Sequence, residues 1–123
     1  MMSKTRFIGD VVTQWLKGAK RLMKLQQKFI FVDENGFQWI APQGSIIDGA
    51  SIPRIAWFFI GSPFVGNYRR ASVVHDVYCV TKSKPHKEVH KMFYQAMRCD
   101  GVNYFKAKAM YLAVKLGGPT WKS

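Results

Sequence analysis

The chain has 123 residues, with 19 Lys and Arg against 7 Asp and Glu, a formal charge of +12 and a hydrophobic share of 48%. That length leaves room for one core and excludes two separate domains, and the apolar content excludes a disordered basic tail. A packed domain therefore carries the charge, which predicts an anionic partner: a membrane surface, nucleic acid or an acidic protein.

The longest apolar run, Ile55 to Ile60, is far short of the ~20 residues a membrane-spanning helix needs. No transmembrane segment is expected. Lys4, Arg6 and Asp10 interrupt the first apolar residues, which argues against a secretory signal. Two cysteines, Cys79 and Cys99, are too few for a disulfide framework and suit a reducing compartment, so the cytoplasm of the producing cell is the expected location.

Phe7, Ile8, Val11, Val12, Trp15, Leu16, Ala19, Leu22 and Met23 follow helical three-and-four spacing, which predicts an amphipathic N-terminal helix, residues 1–24, ahead of a single α+β domain, residues 25–123. Lys17, Lys20, Arg21 and Lys24 form its polar side. This face is either a solvated surface of a packed helix or an interfacial helix on an anionic membrane or nucleic acid. Lys28–Asp33 and Phe37–Ile40 read as a β-hairpin around Asn35-Gly36. Gly44 to Arg54 is a turn-rich loop, and Pro53 opens a short helical turn through Trp57, Phe58 and Phe59. Asn67 is the expected cap of a helix over 68–81. A second helix over 86–98 returns antiparallel to it, and Gly101 separates that from a third over 104–115.

All three histidines lie on the helix hairpin. Centring the connection near residues 83 and 84 sets His75 level with His90, so one joint site is natural. His75 and its neighbour Asp76 point about 100° apart on a helix, which suits one group moving a proton while the other holds a metal or positions a second group. His86 and His90 share the four-residue spacing of transition-metal ligands, as do His75 and Cys79, so these four, with Asp76 as alternative, are candidate Zn²⁺ ligands. The plainer readings are a hydrogen-bonded core His75 and a solvated His86. Cys79 and Cys99 fall roughly 20 Å apart on antiparallel helices, beyond bridging distance. Asp48, Ser51 and Arg54 belong to the loop that can close over the hairpin. Ser51 and Arg54 are candidate substrate contacts, with local turn and cap bonds as the alternative.

Asp48-Gly-Ala-Ser-Ile-Pro-Arg54, then Arg70-Ala-Ser-Val-Val-His-Asp76 with Tyr78, Phe93-Tyr-Gln-Ala-Met97, Gly101-Val102 and Ala109-Met-Tyr111 resemble the small phage and bacterial family of domain of unknown function 1353, over about residues 22–121. The resemblance implies a phage or prophage origin, with virion association as one consequence. Where that family usually has an Asp, this chain has His90. A His-Asp pair facing a second polar residue across antiparallel helices is also similar to phospholipase A2. That likeness implies that His75 activates water, Asp76 holds Ca²⁺ with loop carbonyls near residues 44–49, and the facing residue orients His75. The catalytic set is then His75, Asp76, His90 and Asp48, in a metal-assisted hydrolase acting on phospholipid or another envelope substrate. The alternative is a non-enzymatic accessory or virion protein that binds an anionic partner.

Overall fold

Aromatic and β-branched residues crowd the first half of the chain, and there they form short strands instead of helix. The computed structural model describes residues 5–16, 22–47, 51–53 and 66–121. The strands are β1 (Arg6–Ile8), β2 (Thr13–Trp15), β3 (Met23–Leu25), β4 (Phe29–Val32), β5 (Gln38–Ala41) and β6 (Ile46–Ile47). After a 3-10 turn at Gly66–Tyr68 come α1 (Arg69–Thr81), α2 (His86–Cys99) and α3 (Tyr104–Gly117). The strands make two antiparallel three-stranded sheets, ordered β1-β4-β5 and β2-β3-β6.

The predicted N-terminal amphipathic helix is not formed. Residues 6–8 pair with β4 (Phe7 opposite Phe31) and residues 13–15 with β3 (Gln14 opposite Lys24), while residues 17–21 lie outside the described set. Two features override the helical spacing. Gly9 takes φ +87°, which stops a right-handed helix at its second turn, and its Cα lies so close to the Lys28 carbonyl that a Cβ would meet that oxygen at 3.3 Å. Phe7 also finds a better partner across the sheet than along a helix: its ring stacks on Phe29 at 5.4 Å and tilts against Phe31 at 5.1 Å.

The hairpin forms where the sequence placed it. Asp33 ends β4 and accepts from the backbone N–H groups of Asn35 (2.9 Å) and Phe37 (3.0 Å) and from Trp39 Nε1 (2.9 Å), which closes the turn and pins the indole. Every residue of β4 is buried, the mark of a strand covered on both faces. On one side Trp39 and Tyr78 meet edge to face at 4.9 Å, and Tyr78 Oη accepts from the Ile40 N–H at 2.9 Å, locking α1 onto β5.

Ala71 through Cys79 of α1 are all buried, so this helix is the core of the molecule and not one of its walls. Val89, Met92, Phe93, Ala96 and Met97 of α2 pack on it. Asn67 does not cap α1: it sits inside the 3-10 turn, and the cap position, Tyr68, makes no side-chain cap bond. Gly101 ends α2 at φ +88° with its N–H on the Arg98 carbonyl, as expected, and Asn103 Oδ1 caps α3 by accepting from the Lys106 N–H at 2.9 Å. Both cysteines are free. The helical turn expected through Trp57, Phe58 and Phe59 lies outside the described residues.

Candidate functional site: a buried histidine relay

The antiparallel α1–α2 hairpin brings His75 and His90 to the same level, with His75 Nε2 2.9 Å from His90 Nδ1. The outer nitrogens are engaged as well. Nδ1 of His75 lies 3.1 Å from Ser51 Oγ, and Nε2 of His90 lies 2.9 Å from the Pro119 carbonyl oxygen.

The direction of every proton in this chain follows from its end. A carbonyl can only accept, so His90 Nε2–H donates to Pro119. Burial holds both imidazoles below their ordinary pKa, and each is further lowered by a neighbouring histidine: His90 acts on His75, and His86 on His90. The Pro119 bond opposes part of the shift on His90. Both rings are therefore neutral near pH 7. A neutral His90 that donates from Nε2 must accept at Nδ1, so His75 Nε2–H donates to it. Nδ1 of His75 must then accept, and the Ser51 hydroxyl donates. The result is a one-way relay, Ser51 Oγ–H to His75 to His90 to the Pro119 carbonyl, with one tautomer fixed at each ring.

Each element has a local reason for its place. Cys79 follows His75 by four positions, about one turn of α1, and its Sγ sits 3.7 Å from His75 Nε2. The Phe93 ring of α2 lies 4.6 Å from the His75 ring and closes its other side. Asp76 accepts from the Ser51 backbone N–H at 3.3 Å, so the two adjacent residues His75 and Asp76 hold Ser51 by its hydroxyl and its amide respectively. The chain leaves α3 sharply at Gly118, where a Cβ would stand 2.5 Å from the Val114 carbonyl oxygen. Only glycine fits there, and the tight exit puts Pro119 against α2. Trp121 anchors the same segment by donating from Nε1 to the Lys84 carbonyl at 2.9 Å.

The relay is dry. His75 is 0% exposed, His90 1%, Asp76 1% and Ser51 2%. Of the sequence-predicted site residues, His75, His90, Ser51 and Asp76 come together, whereas Asp48 and Arg54 lie outside the described residues. His86 is half-buried at the edge, its ring 5.9 Å from that of His90 and 5.7 Å from that of Trp121. Phe93 is visible in the sequence only as part of the family-like stretch Phe93–Met97, and the Pro119 carbonyl and Trp121 carry no site signal there. A backbone carbonyl carries no side-chain signature, and Gly117-Gly118-Pro119 reads as a helix stop and nothing more.

Among the described residues His75, Cys79 and His90 offer ligand atoms within 4.8 Å of one another, a nitrogen and sulfur set that zinc accepts. His86 and Asp76 are not in that group. As it stands the set does not fit a metal. All four ring nitrogens are spent in the relay or within reach of it, and burial, aided by the Asp76 carboxylate, pushes the Cys79 thiol up to about 12, which keeps it protonated. A cation between His75 and His90 must displace the proton they share.

Among the described residues no helix is long and apolar enough to cross a membrane. No solved structure matches the chain. It is 50% identical over 100 residues to the uncharacterized protein y4jT of Sinorhizobium fredii (strain NBRC 101917 / NGR234), a match covering 81% of this chain and 30% of that protein. It is 41% identical over 97 residues to the uncharacterized protein y4iH of the same strain, covering 79% of this chain and 41% of that one. The chain thus spans well under half the length of these relatives. The profile of one family matches residues 23–114, which contain the strand pairs β3-β6 and β4-β5, both helices of the hairpin and every relay side chain. The chain belongs to that family, described as Protein of unknown function (DUF1353).

Proposed function

We propose that this protein is a small hydrolase of carboxylic esters in which His75 is the general base, Ser51 Oγ the nucleophile and His90 the group that orients His75. The observation that carries the reading is the one-way relay: a serine hydroxyl donates to an imidazole whose other nitrogen is held by a third group. In the reaction Ser51 Oγ attacks the ester carbonyl and its proton passes to His75 Nδ1. The imidazolium so formed keeps its Nε2–H on His90. The proton on Nδ1 then goes to the departing alkoxide, and His75 next activates the water that releases the acid from Ser51. His90 stands where hydrolases of this logic carry a carboxylate. It fixes the tautomer equally well but contributes no negative charge, which predicts a slow enzyme. The net charge of +12 favours esters in an anionic setting, phospholipid among them.

Because the relay is buried, catalysis requires the cover over Ser51 to open and admit substrate while Ser51 Oγ stays on His75. The test is hydrolysis of p-nitrophenyl butyrate and of a short-chain phosphatidylglycerol by wild-type protein and by His75→Gln, with and without EDTA. Wild-type turnover that survives EDTA and disappears in a folded His75→Gln supports the reading. Turnover equal in the two proteins, or abolished by EDTA, overturns it.

Two observations favour a second reading, that of a non-enzymatic accessory protein of phage type in which the relay pins the fold. The four groups are sealed from solvent, and the Ser51 N–H, which serine hydrolases aim at the developing oxyanion, is committed to Asp76. On that reading no ester is turned over, and Ser51→Ala lowers stability by about 1–3 kcal/mol through the unpaired His75 Nδ1.

A further inference from the structure

Helix α3 has two apolar faces, and the fold uses one. Ala107, Met110 and Val114 are its buried residues and face the core. At about 100° per residue, Phe105, Ala109, Leu112 and Leu116 fall on a single stripe on the opposite side of the helix. All four are exposed, with Phe105 at 82% and Leu116 at 84%, an arrangement a soluble surface does not need. Lys108 and Lys115 flank the stripe on one side and Lys106 on the other, and α3 carries no acidic residue. Lys108 Nζ lies 5.5 Å and Lys115 Nζ 5.9 Å from the Tyr111 ring, so Tyr111 bears both ammonium groups along one edge of the stripe.

We infer that this outer face of α3 is a docking surface for an anionic phospholipid bilayer, lying in the plane of the interface with Phe105, Leu112 and Leu116 among the acyl chains. The charge selects the occupant. A stripe meant for another copy of this chain would bring two sets of lysines together with no acid on either helix to receive them, whereas lysines beside exposed Phe and Leu match anionic headgroups over an apolar layer. The proposal stands on α3 alone and holds whether or not the relay turns over an ester.

The test is sedimentation of the full chain with vesicles of phosphatidylcholine alone and of phosphatidylcholine with phosphatidylglycerol. We expect binding to the mixed vesicles only, weakened about tenfold by raising salt to 0.5 M. Phe105→Ser with Leu116→Ser should lower it by tenfold or more, and Lys108→Glu with Lys115→Glu by a similar factor, at roughly fivefold per lysine before charge reversal is counted. Leu116→Trp supplies a reading that does not depend on loss of function: its fluorescence should shift to the blue and be quenched by brominated lipids. Absence of vesicle binding, or binding that the Phe105 and Leu116 changes leave intact, overturns the proposal. So does a wild-type dimer in analytical ultracentrifugation that those changes convert to monomer, since the stripe would then be an interface between copies.

Discussion

The α1–α2 hairpin and the outer face of α3 treat polar groups in opposite ways. In the hairpin, two histidines and a serine are stripped of water, kept neutral and satisfied by one another in a single direction. On α3, three lysines stand in solvent beside side chains that would ordinarily be buried. The +12 charge therefore says nothing about the relay, which contains no basic side chain in its charged form. The relay and the lysine-flanked stripe lie on different elements, and each is open to perturbation without the other.

The largest effect expected is on turnover. Ser51→Ala and His75→Gln should each lower ester hydrolysis by about 10⁴ to 10⁶, the scale seen when one member of a cooperating set is removed, while vesicle binding stays at its wild-type level. Comparable losses in both assays would mean that the two regions are coupled and the division is wrong.

Gly118→Ala should have an intermediate effect. The added methyl meets the Val114 carbonyl, displaces Pro119 and frees His90 to rotate, at a cost of about 1–3 kcal/mol in denaturant unfolding and a drop in turnover. His90 itself is left in place, so loss of activity with an intact far-UV spectrum identifies the carbonyl as what orients the ring.

Acid should separate the regions next. Both relay histidines have folded-state pKa values below the unfolded value of ~6.5, so the unfolded chain binds more protons in the interval between. Their contribution to stability is complete above pH 6.5 and is lost as pH falls below it, at about 1.4 kcal/mol per pH unit for each histidine. Unfolding followed from pH 7.5 to 5 should show that slope. His75→Gln with His90→Gln should flatten it, and an unchanged slope would place the sensitivity elsewhere.

The smallest effect belongs to α3. Phe105 is exposed, so Phe105→Ser should change stability by less than about 0.5 kcal/mol. A larger loss would show that the outer stripe is part of the fold after all.

The same contrast explains which parts of the molecule were legible in the sequence. The hairpin turn, the three helices and the meeting of His75 with His90 are set by local signals: Asn35-Gly36, Gly101 and the length of the connection at residues 82–85. The strands at residues 6–8 and 13–15 are not local. Phe7 is placed by Phe29 and Phe31 more than twenty positions away, and three-and-four spacing over Phe7 to Met23 cannot register a partner at that distance. The relay was half legible for the same reason. Side chains on the hairpin could be aligned by counting residues, but the Pro119 carbonyl and the direction of the protons depend on how the segment after α3 folds back. The outer stripe of α3 is not legible because apolar residues on both faces of a helix blur its periodicity.

The most direct test of the central claim is labelling of folded protein with a fluorophosphonate, followed by mass spectrometry of the peptide that contains Ser51. The relay predicts phosphonylation at Ser51 in the wild type and at least a hundredfold slower reaction in His75→Gln. A Ser51 that stays unmodified, or that reacts equally fast without the imidazole, would contradict it.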